Sequence, residues 1–232
     1  MNSEDSLKIS HKQLKARALR TIQLESESVA ALADRIDDAF IRIVEQVHRL
    51  PGRVIITGIG KSAHIANKLV ATLNSTGTPS GFMHAAEAIH GDLGLVQKGD
   101  LILCISKSGN SPEIKALVPL IKGLGHPLIA MTGQLDSYLA TQADGVLDTT
   151  IEQEACPHNL APTSSTAAQL AMGDALAMCL MKPEGSPLKI SQPTILGEHW
   201  ARNFTRPWEI CSTRNEGLSS PLMQAWPKSS CP

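Results

Sequence analysis

The stretch VIITGIGKSAHIANKL, residues 54–69, decides how this chain folds. Residues 54–57 form a short apolar and β-branched run that is typical of a buried strand, and the Gly58-Ile59-Gly60 turn ends it. Helical spacing of apolar residues begins at about Ser62. A continuous apolar strand that leads through a glycine turn into a helix indicates a parallel sheet covered on both faces.

The same alternation of strand and helix repeats along the chain. The predicted strands are residues 54–57, 79–84, 101–105, 127–131 and 145–148, and the predicted helices are residues 62–73, 112–124, 137–141 and 164–181. This order predicts an α/β fold, a three-layer αβα sandwich around a five-stranded parallel sheet. Such a sheet binds ligands at the carboxyl ends of its strands, where the strand-to-helix turns gather.

We predict three segments along the chain. Residues 1–50 form an N-terminal helical segment that packs on the domain, since apolar residues recur there at steps of three to four. Residues 51–181 form the core domain. Residues 182–232 contain seven of the 14 prolines and all three tryptophans, and they show no lasting period, so they are expected to be irregular or disordered.

Charge and composition argue against several classes of function. The 21 Lys and Arg nearly balance the 22 Asp and Glu, which leaves no basic excess for nucleic acid or a membrane surface. No apolar run reaches the roughly 18 residues of a membrane span, and the first 22 residues lack a signal-peptide core. The five cysteines form no C-x-x-C pair, so neither a zinc knuckle nor a disulfide framework is indicated. We expect a cytoplasmic protein.

The first turn, GIGKSA at residues 58–63, satisfies the G-x-G-x-x-A pattern of a dinucleotide turn. The acidic residue expected at the end of the second strand is replaced by His84, and the glycine that a P-loop needs is replaced by Ile55. A dinucleotide-binding oxidoreductase is therefore poorly supported. The other alternative is a plain tight turn, in which Lys61 would be an idle charge at a strand end.

The third turn, SKSGNS at residues 106–111, predicts a phosphate site. Its hydroxyl and backbone N–H groups surround one point ahead of a helix, which is the chemistry that binds a phosphate monoester. The alternative is an ordinary serine-rich turn in which Ser111 caps the helix before Pro112. Glu113 would then serve the helix dipole.

Two further segments carry acidic, imidazole and hydroxyl groups. The first, AAEAIHGDLG at residues 85–94, contains His90, which either shuttles protons or is an ordinary loop histidine. The second begins with EACP at residues 154–157 and continues to LAPTSST at residues 160–166, ahead of the last helix. Its hydroxyl cluster reads equally well as a ligand site and as a helix cap.

Together these motifs resemble the SIS (sugar isomerase) domain family and, within it, the D-arabinose 5-phosphate isomerases. The resemblance covers roughly residues 20–181. It implies an aldose–ketose isomerase that interconverts D-ribulose 5-phosphate and D-arabinose 5-phosphate through a cis-enediol, and that supplies the Kdo precursor of lipopolysaccharide or capsule. It implies no metal and no organic cofactor, a sugar-phosphate substrate, and self-association as a dimer or tetramer, because SIS active sites usually form between subunits.

The resemblance also implies roles for single residues. It assigns catalysis to Lys61, His90, Glu113 and Glu154, and substrate or phosphate binding to Gly60, Ser62, Ser106, Ser108, Gly109, Ser111, Thr163 and Ser164. Glu154 is expected to be the base, with Glu113 assisting or positioning. Lys61 would stabilise developing negative charge or hold a sugar oxygen, and His90 would hydrogen-bond the substrate or help to open the ring.

The sequence departs from the family pattern at several places. Lys107 stands where the family usually has Asn, and Ala85-Ala86 stands where it often has Pro-Gly. The family's His-Pro-Gly-Gly-x-Leu-Gly stretch does not appear after Met181. Without that stretch, a non-catalytic SIS protein that binds sugar phosphates is the alternative function.

The tail contains a trace of the missing stretch in another reading frame. Suitable codons for ILGEHWARNF, residues 195–204, read in the adjacent frame as His-Pro-Gly-Gly-Ala-Leu-Gly-Lys-Lys-Leu. We therefore hypothesise that the tail is a frameshifted translation that begins at about residues 182–185, so that His199 is not the family's histidine. The coding DNA tests this hypothesis.

Overall fold

A computed structural model describes residues 10–181 of the chain. Its strands are β1 Val54–Gly58, β2 Ser80–His84, β3 Leu101–Ser106, β4 Leu128–Thr132 and β5 Gly145–Asp148. All neighbouring strands are parallel, and their order across the sheet is β2-β1-β3-β4-β5. Every residue of β1, β3 and β4 is buried, because helices cover both faces of the sheet.

The helices confirm the predicted alternation. They are α1 His11–Ala30, α2 Asp38–His48, α3 Lys61–Ser75, α4 Ala85–Ala88, α5 Pro112–Gly123, α6 Tyr138–Gln142 and α7 Ser164–Leu180, with short 3₁₀ turns at Ala33–Arg35 and Asp92–Leu95. The N-terminal helical segment divides into two helices because Asp37 starts a new one. The Asp37 carboxylate accepts hydrogen bonds from the N–H groups of Ala39 and Phe40 at 2.9 and 3.0 Å.

Two apolar cores lie on opposite faces of the sheet, because successive strand residues point to opposite sides. Ile56 and Leu103 face the core that contains α2, α3 and α7. Their neighbours Ile55 and Ile102 face the core that contains α4, α5 and α6. The predicted three-layer αβα sandwich is confirmed.

The two N-terminal helices are buried to very different degrees. Helix α2 buries Phe40 and Ile43 in the first core, and Ile43 packs against Gly145 of β5 so closely that an added Cβ would lie 3.1 Å from its side chain. Helix α1 contacts α7 but buries none of its own residues. Its Leu14 and Ile22 side chains are 50% and 66% exposed.

The strand order creates a crevice between β1 and β3. The chain leaves β1 towards β2 on one side and returns to β3 on the other, and ligands of parallel sheets bind at such a switch point. The strands end at the same level, where Gly58 pairs with His84 and Ile105, and where Ser106, Thr132 and Asp148 end β3, β4 and β5 one residue further on. We call this end of the sheet the carboxyl edge.

Contacts divide the chain into residues 1–188 and residues 189–232, and every described residue belongs to the first unit. The predicted irregular or frameshifted tail, residues 182–232, lies outside the described residues. Between residues 10 and 181, no helix has the length and apolarity to cross a membrane.

Candidate functional site

The turn between β3 and α5, residues 106–111, folds tightly around Gly109. The Gly109 N–H donates to Ser106 Oγ at 3.1 Å, and its carbonyl accepts from the N–H of Leu139 at 3.0 Å. Its φ of +60° lies in the left-handed region, and an added Cβ would lie 2.2 Å from Ser137 Oγ. Glycine is therefore required at the centre of this serine turn.

The serine turn leads directly into the N-terminus of α5. Ser111 occupies the N-cap position and Pro112 follows it, but the Ser111 side chain makes no capping hydrogen bond. Its hydroxyl oxygen is buried and has no partner among the described residues. Ser111 therefore occupies the N-cap position that the capping alternative predicts, but its hydroxyl does not cap the helix. A helix N-terminus with an unused hydroxyl is suited to bind an anion.

The turn between β1 and α3 lies on the other side of the crevice. Gly60 has a φ of +57°, and Lys61 begins α3 with an exposed side chain. The next residue, Ser62, is buried and donates its hydroxyl to Gln169 Oε1 of α7 at 3.2 Å. This bond ties the first turn of α3 to α7.

The segment after β2 buries Ala85 and Ala88 and exposes its charged side chains. Glu87 and His90 are exposed, and the His90 N–H donates to the Glu87 carbonyl at 2.9 Å. His84, at the end of β2 opposite Gly58, was not among the predicted site residues. Its Nδ1 atom is buried without a partner among the described residues, and its place at a strand end was the signal that could have identified it.

Glu154 lies in the loop between β5 and α7 and is only 2% exposed. Its Oε2 accepts from the N–H and hydroxyl of Thr163 at 2.8 and 3.1 Å and from the N–H of Ser165 at 3.1 Å. Its Oε1 accepts from the Ser165 hydroxyl at 2.5 Å. Because Thr163 is the N-cap of α7, this carboxylate stabilises the start of that helix. The hydroxyls of the predicted cluster make no capping hydrogen bond with α7, and the Glu154 carboxylate accepts from the N–H groups at its start instead.

Lys107 completes the surroundings of this carboxylate. Its Nζ lies 2.6 Å from Glu154 Oε1. Burial alone would raise the pKa of Glu154, but the Lys107 ammonium, the Ser165 hydroxyl and the N–H groups of Thr163 and Ser165 outweigh it and lower the pKa to about 2. The carboxylate is therefore ionised at neutral pH, with both oxygens occupied.

This placement bears on the predicted role of Glu154 as the base. A carboxylate with a pKa of about 2 holds a transferred proton weakly at neutral pH, and its two oxygens already accept five donors. The geometry favours a positioning role, and the base role stays a prediction. Glu113, in the first turn of α5, is half-buried and has no hydrogen-bond partner among the described residues.

The structure places most of the predicted site residues at the carboxyl edge. Lys61 follows β1, and the serine turn with Glu113 follows β3. Glu154, Thr163 and Ser164 come to the same edge because Lys107 binds Glu154. The Ser164 hydroxyl is buried without a partner among the described residues.

The opposite edge of the sheet carries a groove that is separate from the predicted site residues. Its volume is about 800 Å³, and its lining includes Leu50, Leu93 and Pro127 but none of the predicted site residues. Within residues 10–181, no three His, Cys, Asp or Glu side chains come together as metal ligands would.

Comparison with known proteins agrees with this architecture. The protein-family model for the SIS domain matches residues 50–179 of this chain. The curated relative "Arabinose 5-phosphate isomerase KdsD" of Pseudomonas aeruginosa is 49% identical over 185 residues, which are 80% of this chain and 55% of the relative. "Arabinose 5-phosphate isomerase GutQ" of Salmonella typhimurium is 48% identical over 72% of this chain and 52% of its own length. The chain thus spans about half the length of the curated relatives it matches.

A solved structure from E. coli CFT073, described as a complex with arabinose 5-phosphate, has the same fold. It superposes with a TM-score of 0.71 and is 37% identical over 74% of this chain and 92% of that chain. A family model that covers more than half of the sequence and a relative matched over nearly its whole length lead to one conclusion. The chain belongs to the SIS domain family.

Proposed function

We propose that this protein is an aldose–ketose isomerase that interconverts D-arabinose 5-phosphate and D-ribulose 5-phosphate and supplies the precursor of Kdo. The observation that carries the proposal is the serine turn at the β1/β3 crevice. The E. coli structure described as a complex with arabinose 5-phosphate matches this chain over 92% of that structure's own length. The names of the curated relatives support the same activity.

The serine turn is the proposed phosphate anchor. The hydroxyls of Ser106, Ser108 and Ser111 and the N-terminus of α5 gather where the crevice opens. Gly109 lets the backbone approach the phosphate oxygens, since it has no side chain and a positive φ. Gly60 and Ser62 line the facing turn, and Thr163 and Ser164 lie at the start of α7. An anchored phosphate fixes the C1–C2 end of the open sugar near the remaining groups.

The chemistry moves one proton between neighbouring carbons. A base removes the proton from C2 of the aldose while the C1 oxygen gains one, which gives the cis-enediol. A proton then returns to C1 while the C2 hydroxyl gives up its proton, which gives the ketose. The resemblance implies Glu154 as the base and Glu113 as its assistant. We propose the reverse, because the Glu113 carboxylate has no competing donor among the described residues. Lys61 stabilises the negative charge of the enediolate, and His90 binds the substrate or helps to open the ring. Glu154 holds the Lys107 side chain in position at the carboxyl edge.

A second copy of this chain is the proposed partner. Lys61 and His90 are exposed in a single chain, although catalysis benefits from a site that excludes water. Helix α1 also presents exposed Leu14 and Ile22 side chains. A dimer or tetramer would cover the helix and close the carboxyl edge.

A second candidate is a protein that binds sugar phosphates without converting them. The fully occupied Glu154 carboxylate and the exposed Lys61 favour it, since phosphate binding needs neither of them as an acid or base. The two candidates share the serine turn and differ in whether a proton leaves C2.

Incubation of the full chain with D-arabinose 5-phosphate in D₂O tests both candidates. The isomerase forms D-ribulose 5-phosphate with deuterium at C1, followed by NMR. Glu113→Gln should slow turnover by at least about a hundredfold, whereas exposed Glu45→Gln should leave the rate unchanged. Binding without conversion would favour the second candidate, and the absence of both would contradict each of them.

A further inference from the structure

Lys107 places a positive charge between two serines of the serine turn. Its carbonyl accepts from the Gly133 N–H at 3.0 Å and from Thr132 Oγ1 at 3.3 Å, so its backbone is fixed against the end of β4. Its side chain is 41% exposed. A half-exposed cation on a fixed backbone therefore stands in the chain between Ser106 and Ser108 of the serine turn, at the carboxyl edge of the sheet.

Glu154 has enough donors without this lysine. Thr163 and Ser165 already provide two N–H groups and two hydroxyls to its carboxylate, and a carboxylate offers about four lone-pair sites. The contact with Lys107 therefore serves both groups: it helps to keep the buried Glu154 ionised, and it fixes the lysine. A buried, immobile carboxylate fixes the end of a side chain that would otherwise lose much rotamer freedom on binding a ligand.

The ammonium keeps donors for another partner. It carries three N–H groups, and Glu154 is the one partner that the described residues give it. Lys107 belongs to the same turn as the serines that are proposed to bind the phosphate. Charge-assisted hydrogen bonds from an ammonium to phosphate are stronger than those from hydroxyls.

We propose that Lys107 binds the phosphate group of the sugar phosphate, and that Glu154 is the positioning residue that holds its ammonium at the turn. The proposal rests on the proposed function, since it names a further ligand of the same phosphomonoester. It makes the two residues one unit: the lysine touches the phosphate, and the glutamate acts through the lysine.

Phosphate binding by the full chain tests this without requiring turnover. Inorganic phosphate and D-arabinose 5-phosphate are titrated calorimetrically into the wild type, Lys107→Asn and Lys107→Arg. We expect Lys107→Asn to weaken both affinities by about tenfold, and Lys107→Arg to stay within about threefold of the wild type. The matched control is Lys98→Asn, which removes an exposed charge at the opposite edge of the sheet and should change neither affinity.

The positioning role of Glu154 is tested by a double-mutant cycle. Glu154→Gln keeps the shape and removes the charge, so it should weaken phosphate binding less than Lys107→Asn does. The double variant should bind no more weakly than Lys107→Asn alone, because the glutamate acts only through the lysine. Additive losses would overturn the positioning role.

Kinetics separate this proposal from the isomerase proposal. In an active enzyme, Lys107→Asn should raise KM about tenfold and change kcat by less than about threefold. Unchanged phosphate affinity in Lys107→Asn, with or without lower stability, would overturn the role of Lys107 and leave the isomerase standing. Weaker phosphate binding in a chain that does not isomerise would support Lys107 and overturn the isomerase. A wild type that binds no phosphate would overturn both.

Discussion

At the scale of single residues, Glu154 links the stability of this protein to acid. Burial opposes its ionisation, but Lys107 and the donors of Thr163 and Ser165 prevail and lower its pKa from 4.5 to about 2 on folding. A lowered pKa adds stability that is fully present above pH 4.5 and is lost as the pH falls towards 2.

We expect acid to destabilise the wild type more than Glu154→Gln. Between pH 6 and pH 3, the free energy of unfolding of the wild type should fall by up to about 2 kcal/mol more than that of the variant. Urea denaturation at several pH values measures it. The control is Glu45→Gln, whose carboxylate forms an exposed ion pair with Arg49 and should follow the wild type. Parallel pH curves for wild type and Glu154→Gln would contradict the expectation.

Single residues also show where the sequence stops being informative. The serine turn could be predicted as a turn, because glycine and hydroxyl residues between a strand and a helix favour a tight turn and a helix start. The contact between Lys107 and Glu154 could not, because it depends on how a loop folds and on which conformer a long side chain adopts. The resemblance therefore implied a base role for Glu154 without showing that its carboxylate is enclosed by donors.

At the scale of elements, nearly all of the sheet and its helices could be predicted. The runs in β1, β3 and β4 are continuous because both faces are buried, and the helices keep their own apolar spacing. The break between α1 and α2 was not predicted, since the apolar spacing of the segment hides the cap at Asp37. The proximity of α3 and α7 is equally invisible to local patterns, because it arises only when the layers pack.

The hydrogen bond between Ser62 of α3 and Gln169 of α7 leads to a prediction. Gln169→Leu removes the acceptor of the buried Ser62 hydroxyl and should lower the free energy of unfolding by about 1–2 kcal/mol. It should also lower kcat, because Lys61 precedes Ser62 in the same turn. Exposed Gln153→Leu is the matched control, with an expected change below about 0.5 kcal/mol. Urea denaturation measures the free energy of unfolding of both variants. Equal losses in Gln169→Leu and Gln153→Leu would contradict a stabilising role of the Ser62–Gln169 hydrogen bond.

At the scale of the whole molecule, α1 is a helix of 20 residues, none of which is buried. If a second copy covers its apolar side chains, the double variant Leu14→Lys/Ile22→Lys should reduce the mass of the assembly and leave the helix content unchanged. Light scattering coupled to size exclusion measures the mass, and circular dichroism measures the helix content. Leu120→Lys/Leu124→Lys, also at exposed positions, is the matched control. An unchanged mass in the α1 variant would show that this helix does not hold copies together.

The packing of α2 on β5, and of α1 on α7, has a consequence for synthesis on the ribosome. The first helices to emerge find their places only against elements made last. At about 5–20 residues per second, the apolar face of α2 waits roughly 5–20 s for β5 to be translated. During that interval Phe40 and Ile43 lack their packing partners in β5 and α7, so we expect chaperones that bind exposed apolar helices to associate with the nascent chain.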